Sequence, residues 1–332
     1  MTTNQADSPT LQSPIPIITL GELLIDFVST QSGVTLAQAP AFQKAPGGAP
    51  ANVAVGVARL GARSGFIGKV GNDDFGHFLA HTLRKNSVDT SALRFSDQAR
   101  TMLAFVSLRA DGERDFMFYR HPSADMRLRP DEIDRATIGA ARIFHFGSIS
   151  LISQPSRGAT LAAVETAVEA GVWVSYDPNL RLNLWPSREA ARKGMLTGWR
   201  YAQVAKVSEE ELAFLSGEDD FDAAVDRLWH ERLRLVVVTA GRDGCRYATA
   251  GARGSVPGFS VEVVDTTGAG DGFVAGLLVG LLENAQVWDD VPTLEKVLRF
   301  ANAVGALTTT KRGAIPALPT REQVLKVTQT ED

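Results

Sequence analysis

From about residue 143 onward, short runs of apolar residues alternate with segments whose apolar positions recur at helical spacing. Residues 142–149 lead into a helical stretch reaching residue 170, then residues 172–176 and further helices. The runs 202–207 and 235–239 repeat the pattern, each ending in a polar turn before the next helix. Apolar strands alternating with helices predict an α/β fold with a central, mainly parallel sheet flanked by helices on both faces. Right-handed crossovers then gather the loops at the strands' carboxyl ends on one edge, where open α/β sheets bind ligands.

Two earlier segments break this rhythm. Residues 101–108 and 114–119 read as paired strands joined by Ala110-Asp111-Gly112, a turn chemistry that favours an antiparallel hairpin. With residues 34–42 they are expected to form a small separate sheet. A sheet of that size is marginal in water, so it should be covered by the main domain, a ligand or a second subunit. The expected organisation is a disordered tail over residues 1–14 and one domain over 15–328. That domain carries a β lid built from about 33–43 and 100–121.

Composition narrows the function. With 332 residues, 44% of them hydrophobic, the chain can bury a full core unaided by disulfides or metal. Its 34 Lys and Arg against 38 Asp and Glu leave a net charge of −4, with no basic excess for a nucleic acid partner. Cys245 is the only cysteine, which excludes an intramolecular disulfide and any multi-thiolate metal site and suits a reducing, cytoplasmic location. The first 14 residues lack the features of a secretory signal. The longest apolar stretch, around 273–282, is too short for a bilayer, so no membrane anchor is expected.

The richest stretch is Asp265-Thr266-Thr267-Gly268-Ala269-Gly270-Asp271-Gly272-Phe273, placed between a strand-like run at 261–264 and a helical run at 273–282. Glycines at such a turn leave backbone N–H groups uncrowded, and a helix N-terminus adds partial positive charge, so an anion such as phosphate is favoured there. Asp271 is a carboxylate where an anionic ligand would be repelled. It either caps the helix or serves as general base in phosphoryl transfer to an alcohol, and the residues alone leave both open. Gly270 to Ala275 also fits a dinucleotide-binding pattern, but it comes late in the chain and carries an internal acid.

Residues 265–276, DTTGAGDGFVAG, resemble the second signature of the ribokinase-like (PfkB) carbohydrate kinases, and residues 47–71, GGAPANVAVGVARLGARSGFIGKVG, resemble the first. The resemblance spans nearly the whole chain after residue 15. It implies a ribokinase-like fold, ATP and a sugar as substrates, Mg2+, and Asp271 as base with Gly268, Ala269 and Gly270 as anion hole. At the sugar end, Asp26, read as the tip of a first strand, matches a sugar-contacting position, as do Gly47, Gly48 and Asn52. The phrases GELLIDFV, APGGAPANVA, FMFYRHPSADM and YDPNLR look like fructokinases in particular, which implies D-fructose as substrate and its C6 hydroxyl as acceptor. By the same resemblance Phe105, Tyr119 and Arg120 belong to or border the lid, with a packing role equally open for Phe105, and Arg181 can bridge the transferring phosphoryl group.

At the nucleotide end, the turn from Thr239 through Gly241 to Gly244 resembles the family's T-x-G-x-x-G segment. Lys206 and Ser208 border a segment where relatives have N-x-x-E, with Glu211 as the acid that reaches Mg2+ through water; an acidic helix start is the plain alternative. Asn302 and Ala306 fall where relatives line the adenine pocket. Asp265, Thr267 and the region of Gly313 imply a monovalent-cation site for K+. A homodimer through the lids is expected. Kinases for 2-keto-3-deoxygluconate or other sugars, and a sugar-binding regulator without catalysis, are the competing readings.

Overall fold

The computed structural model describes residues 14–108, 114–284, 287–288 and 290–330. The strands are β1 (Ile17–Leu20), β2 (Leu24–Ser29), β3 (Phe42–Gly47), β4 (Ser64–Gly71), β5 (Val88–Asp89), β6 (Leu93–Ser96) and β7 (Met102–Leu108). They continue with β8 (Arg114–Tyr119), β9 (Ile143–Gly147), β10 (Trp173–Asp177), β11 (Val204–Ser208), β12 (Leu235–Thr239), β13 (Cys245–Ala248) and β14 (Arg253–Val256). The large sheet runs β14-β13-β12-β11-β10-β9-β1-β4-β5, with β6 also pairing β4. It is parallel from β12 to β5, while β13 and β14 attach antiparallel at one edge.

Side-chain alternation explains why both faces are covered. Ile18, Phe144, Val174, Ala205 and Val236 pack on the helices Ser156–Glu169, Arg188–Trp199, Glu209–Ser216 and Phe221–Leu228. Ile17, Ile143, Val204, Leu235 and Val237 pack on Ala49–Arg59, Ala269–Glu283 and Val291–Thr308. The expected α/β architecture is thus present, and strand 235–239 falls where the apolar run put it.

A second sheet has the order β3-β2-β7-β8, with β2 and β7 parallel and the outer pairs antiparallel. The predicted strand pair 101–108 and 114–119 is there, and its turn, Ala110-Asp111-Gly112, lies outside the described residues, as does the tail up to residue 13. Two details differ from the sequence reading. The lid strand expected at 33–43 lies at Phe42–Gly47, because Leu36–Gln38 forms a 3-10 turn closed by Thr35 and Gln38. Nor is 261–264 a strand: Val263 and Val264 are 58% and 52% exposed, and the backbone is held by the N–H groups of Val264 and Asp265 donating to Thr309 O.

One face of the small sheet, carrying Ile25, Phe27 and Leu103, packs on Ala51, Val55, Leu79 and Phe78 of the neighbouring helices. The other face carries Leu24, Met102, Ala104 and Phe118, which meet Leu184 from the segment after β10.

Candidate active site

Two helices open onto the cleft between the sheets, and both begin on glycine with no side-chain cap. Gly48 (φ 111°) precedes Ala49–Arg59, and Gly268 (φ 81°) precedes Ala269–Glu283. Elsewhere Asp73, Ser187 and Asp220 cap helices in the ordinary way. A Cβ on Gly268 would stand 2.7 Å from Ala314 Cβ, and one on Gly48 would strike Glu22 O, so both turns require glycine. At the second helix Ala269 N–H makes a long 3.3 Å bond to Thr266 O and Gly272 N–H bonds Gly268 O at 2.8 Å, at a helix start where the first N–H groups lack intrahelical acceptors.

Asp271 stands in that first turn, and Asn52 Nδ2 donates to its Oδ2 at 2.8 Å. Burial pushes the Asp271 carboxyl up to about 6; Asp177 pushes the same way, while Asn52, Lys206 and Arg181 pull against it. Asn52 is buried, and its Oδ1 has no protein partner. An amide whose Nδ2 is bound to a carboxylate at 2.8 Å and whose Oδ1 is an unpartnered acceptor suits a ligand hydroxyl.

Lys206, expected at the nucleotide, reaches the catalytic turn instead. Its ammonium donates to Asp177 Oδ2 at 3.1 Å in a pair only 10% and 6% exposed, and it lies 3.0 Å from where a Cβ on Gly270 would be. Burial lowers the affinity of Lys206 for its proton, but Asp177, Glu211 and Asp271 outweigh that and hold it above its ordinary value. Asp177 also turns the chain toward Arg181 by accepting from Asn179 N at 3.1 Å. Arg181 is half-buried, and its Nη1 donates to Leu180 O. Sequence reasoning passed over Asp177, although an Asp-Pro at a strand exit was its visible signal.

Ser208 and Glu211 form a reciprocal cap on Glu209–Ser216: Ser208 Oγ accepts from Glu211 N and Glu211 Oε2 from Ser208 N at 2.9 Å, while Glu211 Oε1 accepts from Leu180 N at 2.6 Å. Register pairs Ser208 with Thr239, so the two adjoin at the strands' carboxyl ends. Beyond Thr239, Gly241 (φ 58°) and Gly244 (φ 95°) bound a tight turn. Asn302 Nδ2 donates to Val256 O and Pro257 O at 3.0 and 3.1 Å, which commits that amide to holding the backbone, and Ala306 is half-buried one turn on. Asp265, Thr267 and Gly313 do come together: Asp265 Oδ1 accepts from both N and Oγ1 of Thr267, and Oδ2 from Gly313 N at 2.9 Å.

The sugar end needs three revisions. Asp26 is not a strand tip but the third residue of β2, inside the small sheet and opposite Ala45 and Ala104; a Cβ on Gly47 would overlap its carboxylate. Phe105 and Tyr119 lie on the opposite face from Asp26. Register sets Phe105 beside Phe27, with rings stacked at 5.0 Å, and Tyr119 meets Phe105 edge-on at 5.4 Å with 57% of its surface exposed. The Asp26 face instead carries Phe118, beside Leu24, Met102 and Ala104, with Leu184 packed on it from the segment after β10, and sequence reasoning missed Phe118 and Leu184 as partners of Asp26. Arg120 is buried, its Nε donating to Asp125 Oδ2 at 2.8 Å and its Nη2 to Ile149 O at 3.1 Å.

Among the described residues no cluster of three or more His, Cys, Asp or Glu is gathered as a metal site, and no helix is long and apolar enough to cross a membrane. The pfkB family carbohydrate kinase profile matches residues 16–321. A tomato (Solanum lycopersicum) protein named fructokinase-2 is 55% identical over 310 residues, 93% of this chain and 94% of that one. The Xylella fastidiosa fructokinase solved with bound ATP superposes with a TM-score of 0.88 at 38% identity, covering 95% of this chain and 98% of that one. A Vibrio cholerae fructokinase double mutant, solved with fructose, ADP and potassium ion, gives 0.85 at 37% identity over 95% and 99%. A glycine-capped helix start, a buried carboxyl pushed up in its first turn, and a match along nearly the whole length lead to one conclusion: the chain belongs to the pfkB family of carbohydrate kinases.

Proposed function

We propose that this chain transfers the γ-phosphoryl group of ATP to the C6 hydroxyl of D-fructose, giving D-fructose 6-phosphate and ADP, with Asp271 as general base. The observation that carries this reading is the Asn52–Asp271 pair, which combines a carboxyl raised to about 6 with an unpartnered amide oxygen at the mouth of a glycine-capped helix. Asp271 accepts the hydroxyl proton as the sugar oxygen bonds to the γ-phosphorus, and the bond from that phosphorus to the β,γ-bridging oxygen breaks. Gly268, Ala269 and Gly270 present N–H groups to the charge on the transferred group, while Arg181 and Lys206 add positive charge beside it. Fructose as the sugar is supported by its presence in the Vibrio cholerae complex and by the names of the relatives.

Asp26, Gly47, Gly48 and Asn52 hold the sugar hydroxyls, with Phe118 and Leu184 rather than Phe105 and Tyr119 against its apolar edge. Thr239, Gly241 and Gly244 border the nucleotide, with Ser208 next to Thr239 and with Asn302 and Ala306 framing the adenine side. Glu211 fits Mg2+ through water, since each of its oxygens already takes one backbone N–H and keeps a free lone pair. Mg2+ would neutralise charge on the phosphates. K+ fits the turn that Asp265 draws together with Thr267 and Gly313, through backbone oxygens. The β8 edge of the small sheet, where Tyr119 and Met117 are exposed beside Phe105 and beyond the part of that face that packs on the helices, is where two copies pair, and the protein works in the cytoplasm.

The test is ADP formation by purified protein with ATP and Mg2+ across fructose, glucose, mannose, ribose, 2-keto-3-deoxygluconate and adenosine. Fructose is expected to give the highest kcat/KM. A higher value for another acceptor overturns the choice of sugar, and binding of fructose without any turnover points to a regulator.

A further inference from the structure

The helix Ala49–Arg59 carries Asn52, yet its glycine cap offers no side chain to the first N–H groups. That N–H is met from another part of the chain. Glu22 Oε1 accepts from Ala49 N at 2.9 Å, and the Glu22 side chain is 4% exposed. A carboxylate at a helix N-terminus is the charge that the helix favours, and here it also relieves an orphan donor.

Glu22 lies where the chain crosses between the two sheets. Gly21–Leu23 joins β1 of the large sheet to β2 of the small one, Gly47 and Gly48 carry β3 back into the helix, and Arg120 leaves β8. The first two meet at Glu22, and Arg120 of the third is near enough to act on its charge. The backbone of Gly48 is pressed so close that a Cβ there would strike Glu22 O and come within 3.1 Å of Leu23 Cα. Burial pushes the Glu22 carboxyl up to about 7, backbone N–H groups including that of Ala49 pull it down, and the nearby buried Asp125 and Arg120 add smaller pushes up and down respectively. Farther along the helix, a Cβ on Gly56 would come 2.6 Å from Ala275 Cβ, so it crosses the Asp271 helix in tight contact and transmits its placement to the Asn52–Asp271 bond.

We propose that Glu22 is a positioning residue for the sugar: by holding Ala49 it fixes the Gly47–Gly48 crossing and Asn52 relative to Asp26 on one side and Asp271 on the other. Glu22 touches neither reactant. It acts through the turn and the helix, and chiefly on the sugar end, because the strand exits at Ser208 and Thr239 that border the nucleotide belong to other segments.

This inference rests on the fructokinase reading, and the experiment separates the two failures. Fructose and ATP affinities are measured by titration calorimetry and by KM for the wild type, Glu22→Ala and Glu22→Gln, with thermal unfolding of each. Wild type that does not bind fructose sinks the fructokinase reading itself. Given wild-type binding, Glu22→Ala is expected to weaken fructose by about tenfold or more, the scale of leaving a buried donor without its acceptor, with ATP changed less than about twofold. Glu22→Gln, whose amide oxygen can still accept from Ala49, is expected to recover most of the loss. Unchanged fructose affinity in Glu22→Ala, equal losses for fructose and ATP, or a Gln variant no better than Ala would each overturn the proposal. Glu22→Asp, which draws the carboxylate back by one methylene, makes the same fructose-against-ATP comparison if the Ala variant does not fold.

Discussion

Asn52 Nδ2 and Asp271 Oδ2 are 2.8 Å apart although 219 positions separate the two residues along the chain. The bond ties the helix Ala49–Arg59 to the helix Ala269–Glu283 and tunes the carboxyl proposed as base. A buried acid with its pKa near 6 is ionised, and able to accept a proton, only above that pH. The acid limb of kcat/KM should therefore fall as pH drops through about 6 rather than near 4. Asn52 donates to the charged form and holds the pKa down, so Asn52→Ala should move the limb to higher pH and raise the fructose KM by about tenfold. A pH–rate profile of the two proteins checks both. A limb left in place by Asn52→Ala contradicts the coupling.

Lys206 and Asp177 form the other pair at the site, and the pair is buried. Removing one partner leaves an uncompensated charge, so Lys206→Met should destabilise the protein by about 3–5 kcal/mol in urea unfolding. The exposed Arg227–Glu218 pair, at 60% and 39%, is the control, and Arg227→Ala should change stability by less than about 1 kcal/mol. Similar losses in both variants would show that burial does not set the difference.

Gly268 combines a positive φ with no room for a side chain. Gly268→Ala should cost about 1–3 kcal/mol of stability and most of the turnover, since Ala314 or the anion turn must shift. Thermal unfolding and kcat measured together check this, and an unaltered melting temperature contradicts it.

Much of this was legible in the sequence because apolar runs and glycine turns report local structure directly. Strand 235–239 is bounded correctly, and the 265–271 segment is, as read, a glycine turn that opens a helix with Asp271 in its first turn. What was missed depends on partners far along the chain. Residues 261–264 look like a strand by composition, but no neighbouring strand pairs with them. Asp26 was read as a strand tip because the short apolar run Leu23–Ile25 looks like the end of one strand, and only its pairing with β3 and β7 shows a second strand beginning at Leu24 in another sheet. Residues 102–106 are apolar at every position, so alternation gives no hint that Ala104 shares a face with Asp26 while Phe105 points away; only the register with β2 decides it. Glu22 carries no signal at all in the sequence, since a buried cap from another segment follows no local spacing.

The most direct test of Asp271 as base is the variant Asp271→Asn, assayed for fructose binding by calorimetry and for ADP formation at saturating substrates. The asparagine keeps the shape of the side chain and loses the proton acceptor. Binding of fructose within a few-fold of wild type with turnover reduced by about a hundred- to ten-thousandfold is the predicted result. Turnover close to wild type in Asp271→Asn would contradict it.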